Sequence, residues 1–421
     1  MMTKPEPPVD LVEVEDPGDS RLDSGEAWEG VCEALRQAGS RVLGEGVPDT
    51  HRDRAEGFRY LTRFLEAGIR SCVSHDDPDH PIFGRMIEYT MPWGLDAPDC
   101  LYLYAAVRGD AAYRVHGTRG TANHIDIQVN FGHFSSGEIG AWGTIASLDG
   151  FDLSIAADGR FELFLGGEPR SGNWLPVSGN AGNAGHVANA EFLLVRQYFG
   201  DWERERPAAL RIERIGETLP IPAPRSDFVA ERLEKLQRWI EKGGALWETM
   251  SRGLLGMEPN SLVVHLPENS GERAGMRGQA YGMGNFHCPE GEAVVIEFEP
   301  PPCHHWSVSL ANYWWEALEY ASRQTSLNGH QASLDADGIF RAVIADRDPG
   351  VANWLDTFGH ERGSLAVRFL RAERAPSARM WRLPFDEVAA ALPTGTPRLT
   401  PEERARRLAR RREAVLARYP C

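Results

Sequence analysis

Asp158-Gly159-Arg160-Phe161-Glu162-Leu163-Phe164-Leu165, followed by Asn173-Trp174-Leu175, has a counterpart much later in the chain. That counterpart is Asp337-Gly338-Ile339-Phe340-Arg341-Ala342-Val343-Ile344, followed by Asn353-Trp354-Leu355. Each copy starts on an Asp-Gly turn, continues as an apolar run of strand length and passes a Pro turn (Pro169, Pro349). Each then reaches the Asn-Trp-Leu triplet and ends on a strand closing with arginine, Arg196 or Arg368. From Asp to Asn the spacing is 15 positions in the first copy and 16 in the second. Alternating apolar residues bounded by turn formers specify strands with one face in a core. The order therefore predicts one β unit built twice.

Working outward, more strands are expected at Leu101–Ala105, Tyr113–His116, His124–Val129, Leu262–Val264, Ala293–Ile296 and Trp306–Leu310, separated by Gly-rich turns. Helical periodicity occurs elsewhere. One helix is expected after Ser24, with Trp28, Cys32, Leu35 and Val42 inward. A second follows Thr50, with Phe58, Leu61, Leu65, Ile69 and Cys72 on one face. A third starts at Ser226, carries Val229, Leu233, Leu236 and Ile240 inward, and ends at Gly243-Gly244. The last opens with Thr400-Pro401-Glu402-Glu403, an N-cap, a proline at the first helical position and a glutamate three on. It carries seven arginines between Arg404 and Arg418 and reads as a solvated amphipathic helix packed by Leu408, Val415 and Tyr419.

The fold class is thus mainly β with flanking helices: two duplicated β-sandwich or jelly-roll-like units, an N-terminal helical segment, an interdomain helix and a C-terminal helix. The boundaries read as a disordered acidic tail over 1–23, a helical segment over 24–80 and a first β unit over 81–205. A linker and helix follow over 206–255, a second β unit over 256–380 and an Arg-rich helix over 381–421.

The balance of 45 basic against 61 acidic residues, a net charge of −16, argues against a nucleic-acid-coating surface. No apolar run approaches the ~20 residues of a membrane span. The start lacks the apolar core of a secretory signal. Six cysteines without CxxC spacing fit reduced thiols in a cytoplasmic protein. A homo-oligomer is compatible with this composition.

The Asp96-Ala97-Pro98-Asp99 run before Tyr102, the Tyr113-Arg114-Val115-x-Gly117 strand, Trp306-Ser307, Asn353-Trp354-Leu355 and Arg368 resemble the bacterial family called domain of unknown function 1214. The resemblance spans roughly residues 81 to 372 and is densest from Ala280 to Arg371. It implies sandwich or jelly-roll units and a soluble bacterial protein, and it brings no established catalytic set.

Standard chemistries lack their motifs. There is no Gly-x-Ser-x-Gly elbow, Walker loop or Gly-x-Gly-x-x-Gly after a strand. His287-Cys288 and Cys303-His304-His305 place neighbours on opposite strand faces, so neither reads as a metal site. His75 to His80 reads as an acidic turn. No metal and no cofactor is expected.

A feature present in both copies is more simply scaffold than active site, so Asn173, Trp174, Asn353 and Trp354 read as structure. The same holds for Arg196 and Arg368, expected to pair with Asp158 and Asp337 or with the Asn-Trp-Leu backbone. Function is sought in what the copies do not share, above all Asn312 to Gln331, where aromatics stand beside amides and hydroxyls. Candidate acid/base residues there are Tyr320, Glu316 and His330. Candidate substrate contacts are Asn312, Trp314, Trp315, Ser326 and Asn328, with His124 and Asp126 from the first unit. The reading is a cofactor-independent lyase, hydratase or isomerase acting on a hydrophobic or aromatic small molecule in a Trp/Tyr-lined pocket. The alternative is a non-catalytic carbohydrate- or lipid-binding β-sandwich protein.

Overall fold

The computed structural model describes residues 16–180, 187–217, 219–265 and 279–419. Its first β unit contains β1 (Gly84–Ile87), β2 (Cys100–Ala106), β3 (Tyr113–Thr118), β4 (His124–Phe131), β5 (Gly143–Asp149), β6 (Arg160–Leu165), β7 (Trp174–Leu175), β8 (Ser178–Asn180), β9 (Val187–Tyr198) and β10 (Ala209–Arg214). The second contains β11 (Leu262–His265), β12 (Gln279–His287), β13 (Glu292–Phe298), β14 (His305–Ala311), β15 (Ser326–Asn328), β16 (Phe340–Ala345), β17 (Trp354–Asp356), β18 (Arg362–Leu370) and β19 (Ala378–Pro384).

Each unit is two facing sheets. In the first, β1-β2-β9-β4-β5 opposes β10-β3-β6-β7; in the second, β11-β12-β18-β14-β15 opposes β17-β16-β13-β19. Strand for strand the order is the same, and in both units the strand of the Asn-Trp-Leu triplet pairs in parallel with the strand after the Asp-Gly turn. Alternate residues of both sheets fill each sandwich. Val115, Ile127, Leu163 and Val195 lie in the first core, and Val294, Val308, Phe340 and Val367 in the second.

The repeated triplet has the same job twice. Asn173 donates to the carbonyls of Ser154 and Glu162 and accepts from the Ser154 amide. Asn353 does the same with Ser333 and Arg341. The Trp174 and Trp354 indoles donate to the Gly166 and Ala345 carbonyls. The closing arginines sit elsewhere than expected. Arg196 donates to Gln128 Oε1 and lies 3.6 Å from Asp126, while Arg368 donates to Leu95 O, Ser309 Oγ and Tyr281 Oη. Asp158 and Asp337 pair instead with Arg160 and Arg341, the strand neighbours nearest them.

The helices are α1 (Ser20–Asp23), α2 (Glu26–Val42), α3 (His51–Ile69), α4 (Ser226–Arg238), α5 (Gly244–Leu255), α6 (Val388–Ala391) and α7 (Pro401–Arg418). Of the tail expected to be disordered, residues 1–15 lie outside the described residues. The remainder includes α1, whose Arg21 pairs with Glu234. Leu236 and Ile240 of the third predicted helix are buried as expected, with Leu233 packed against the same core, whereas α2 and α3 bury a stripe shifted from the one read off the large apolar residues. In α2 the buried positions are Ala27, Val31, Ala34, Ala38 and Val42, and Trp28 is 59% exposed. In α3 they include Glu56, Gly57, Tyr60, Phe64, Ala67 and Gly68, leaving Phe58 and Ile69 outside. Small residues win the inner face because they let aromatic rings approach the helix backbone. A Cβ on Gly57 would meet the Trp314 ring at 2.5 Å, and one on Gly68 would meet Trp239 at 2.6 Å. Gly243-Gly244 does not end the third helix either. The chain makes one wide turn over Trp239–Gly243 and continues into α5.

Helix α7 has the expected capping box, but its arginines are not all solvated. Arg404, Arg411 and Arg418, seven residues apart, are buried on one face. Arg404 donates to Val351 O and Gln324 Oε1, Arg411 to Tyr320 O and Ser326 Oγ, and Arg418 to Pro98 O. No helix among the described residues is long and apolar enough to cross a membrane.

Candidate active-site cleft

The connection leaving β14 is where the two sandwiches differ most in use. It starts at Asn312, and the backbone folds back so that Asn312 N donates to Glu316 O. Trp315 adopts φ +59°, a left-handed conformation that a bulky residue takes only under constraint. Its carbonyl accepts from Leu95 N, and its indole donates to Ser364 Oγ. This turn is pressed against the inner face of α3.

The result is a chain of polar groups across that contact. Asn312 Nδ2 donates to Glu56 Oε2 at 3.1 Å and to Glu316 Oε2 at 3.0 Å, while its Oδ1 accepts from the Trp314 and Glu316 amides. The other Glu316 oxygen accepts from Arg63 at 2.8 Å. The other Glu56 oxygen lies 3.2 Å from His360 Nε2. Glu56, Asn312 and Glu316 are all buried. His360 ends a tight turn in which Phe358 takes φ +56° and Gly359 φ +74°.

Burial pushes the Glu316 carboxyl above the usual range, against the pull of Arg63 and Asn312. Burial acts on Glu56 the same way but is outweighed by the His360 imidazole, Arg59 and the Asn312 amide, leaving it below the usual range. Two carboxylates linked by one amide are thus driven apart, the arrangement that separates a proton acceptor from a donor.

Glu56, Arg63 and Asn312 line a cleft of about 120 Å³ with Arg59, Tyr89, Thr90, Pro92, Leu318 and Phe358. That is comparable to the ~150 Å³ cavity that holds a benzene-sized ligand. Its walls mix rings, guanidinium groups and carboxylates.

Of the residues singled out from sequence, Asn312 and Tyr320 line this cleft, and Glu316 is buried behind its wall, hydrogen-bonded to the lining residues Asn312 and Arg63. The Tyr320 hydroxyl is directed at Tyr419 Oη, 3.5 Å away, and its ring packs edge-on to Tyr89. Trp314 and Trp315 are buried plugs: the Trp314 indole donates to Asp53 O and its ring stacks on Tyr60. Ser326 is held by Arg411. Asn328 donates to Asp99 and to the Phe199 and Gly200 carbonyls, tying the sandwiches together. His330 is exposed, 3.6 Å from Asp201.

His124 and Asp126 belong to a separate cluster at the seam between the units, beside Asp149, Arg196 and His304. Burial holds His124 down to about 4 and pushes Asp126 up to about 7. Asp76 and Asp79 of the acidic turn are consumed by Lys235, Arg108 and Arg214. Cys288 points its thiol at the Glu292 and Ile344 carbonyls. Sequence reasoning missed Glu56, Arg63 and His360. A helix rotated by its glycines carries the first two, and the third stands beyond the repeated triplet, where nothing local marks it.

A family model described as "Protein of unknown function (DUF1214)" matches residues 292–374, a stretch that begins at β13 and includes Asn312, Glu316 and His360. No curated protein matches the chain. The solved structure of an uncharacterized protein from Burkholderia cenocepacia is 31% identical, with a TM-score of 0.81 over 89% of this chain and 99% of that one. The VPA0106 protein from Vibrio parahaemolyticus is 13% identical, with a TM-score of 0.42 over 77% of this chain and 98% of that one. With the matched model covering β13 to β18 of the second sandwich, and a relative 31% identical along almost its whole length, the chain belongs to the family of proteins of unknown function 1214.

Proposed function

We propose that the cleft between α3 and the Asn312–Tyr320 connection is the active site of a lyase, hydratase or isomerase that works by proton transfer on a small molecule with an apolar or aromatic part. The observation that carries this is the sharing of one buried amide, Asn312 Nδ2, by Glu56, which lines the cleft with Asn312, and Glu316, buried behind them. Glu316, raised by burial and hydrogen-bonded to the lining residues Asn312 and Arg63, takes and returns the proton. Arg63 holds its carboxylate in one orientation through a 2.8 Å hydrogen bond. Tyr89, Pro92, Leu318 and Phe358 offer the apolar walls. Arg59, exposed at the same cleft, suits an acidic substituent.

A thermal-shift screen of aromatic alcohols, short acyl compounds and hydroxy acids tests this, repeated with Glu316→Gln and Arg63→Met. The expected result is a stabilising ligand whose effect is reduced in both variants. Absence of any ligand whose effect depends on Glu316 counts against the reading.

A second reading, non-catalytic binding, is favoured by the outer face of β3 and β6. Arg114, His116, Phe161, Glu162 and Phe164 border an open depression of about 740 Å³ there. The corresponding outer face of the second sandwich is filled by Val388 and Leu392. A sugar or lipid partner protected by Phe164→Ala-sensitive binding, with Glu316→Gln silent, supports that alternative.

A further inference from the structure

The His360 imidazole is placed oddly for a structural residue. It is buried at 6% exposure, and its Nε2 faces Glu56 Oε1 at 3.2 Å, outside the geometry of an N–H···O hydrogen bond. Asp53, one helical turn before Glu56 on α3, supplies a third donor. One atom each of Asp53, Glu56 and His360 lie within 4.8 Å of one another. Among the described residues this is the one group of three such side chains so close.

Two donors each about 2.1 Å from one ion stand about 3.0 to 3.4 Å apart when they subtend 90° to 109° at it. The Glu56–His360 separation falls in that window. The three atoms lie no more than 4.8 Å from one another, so bringing every pair into that window needs a shift of no more than about 1.8 Å. Asp53, the half-exposed member, now accepts from the N-cap Thr50 hydroxyl and would exchange that hydrogen bond for the ion.

We propose that Asp53, Glu56 and His360 bind a divalent cation of the Mn2+ or Zn2+ class at the edge of the cleft. Two carboxylates and one imidazole match that class better than Mg2+ or Ca2+, which favour all-oxygen shells. Three protein ligands leave coordination positions open, the pattern of a site that also takes substrate or water. The ligand class follows: a molecule presenting a carboxylate or hydroxyl oxygen to the ion, with its apolar part against Tyr89 and Phe358. The strained Phe358-Gly359 turn then serves to aim His360 at α3. This deepens the acid/base reading of the cleft, with which it shares Glu56, but the ion's binding does not depend on that chemistry.

The test is titration of the full chain, stripped with chelator, with Mn2+ followed by electron paramagnetic resonance and with Zn2+ followed by calorimetry. About one ion per chain is expected, with affinity reduced at least tenfold in His360→Ala and in Asp53→Asn. Asp53→Asn sits at a half-exposed helix position and keeps the fold, as a melting curve verifies. Glu316→Gln should bind Mn2+ like the parent. Failure of both ions to bind at millimolar concentration, or binding unaffected by His360→Ala and Asp53→Asn, overturns the proposal. Retained metal binding without any ligand dependent on Glu316 separates the two readings, leaving the metal site standing and the proton-transfer reading not.

Discussion

Glu56 and Glu316, 260 positions apart in the chain, are held by the two hydrogens of a single side-chain amide. Asn312 is the one donor common to both, so replacing it exposes the cost of burying two carboxylates side by side. Asn312→Ala should destabilise the protein by about 2–4 kcal/mol, read from urea unfolding. The loss should shrink between pH 7 and pH 5. Glu316, already raised by burial, protonates more readily once a donor is gone, and in its neutral form it needs that donor less.

Gly57 is fixed by a ring. Gly57→Ala should cost about 1–3 kcal/mol, because its methyl lands 2.5 Å from Trp314 and 2.7 Å from Val42. The control is Gly39→Ala in α2, where a Cβ meets nothing within 4 Å. That change should be neutral or stabilising by about 0.5–1 kcal/mol. Chemical denaturation of the pair checks it; equal effects would contradict the packing argument.

Asp96 and Asp126 are both buried and pushed up to about 7, chiefly by desolvation. A carboxyl whose folded pKa exceeds its unfolded value of about 3.9 holds its proton better when folded. Its contribution is therefore intact below about pH 4 and declines as pH rises towards 7. Melting temperature should fall between pH 5 and pH 8, and Asp126→Asn should flatten that fall. Differential scanning calorimetry across the range decides it, and an equally steep fall in the variant would assign the pH dependence elsewhere.

Arg411 is buried under the Trp202 ring with its hydrogen bonds directed to Tyr320 O and Ser326 Oγ. Burial lowers its guanidinium to about 9. Arg411→Met should loosen α7, leaving the Tyr320 carbonyl and Ser326 unpaired. Limited proteolysis should then cut within 400–419 several-fold faster. Arg411→Lys should rescue little, since one ammonium cannot reproduce the guanidinium's separate donors. Full protection in either variant would place the grip on α7 elsewhere.

The sandwiches were legible because strand periodicity and turn residues are local signals. The Asp-Gly turn, the Asn-Trp-Leu triplet and the closing strand recur where expected, in the same order within both units. The faces of α2 and α3 were misread in part for one physical reason. Burial there is set by how closely a ring can approach the backbone, so Gly57 and Ala34 go inside while Phe58 and Trp28 stay out. That error hid Glu56, which shares the inward stripe. Looking where the copies differ led to Asn312 and Glu316, but Ser326 and Asn328 in the same stretch serve the seams with α7 and the first unit. Nothing in a sequence separates a buried amide that faces a cleft from one that ties two layers.

The two corner asparagines carry a consequence for insertions and deletions. Each grips both ends of its corner, the carbonyl near the start of one strand and the backbone of the segment arriving from the other sheet. The chain between strand and asparagine is one residue longer in the second unit, 12 positions from Arg341 against 11 from Glu162, yet both asparagines make the same hydrogen bonds. The Pro turn absorbs the extra residue. Loop length in this architecture is therefore free to drift at that turn without moving the strands on either side.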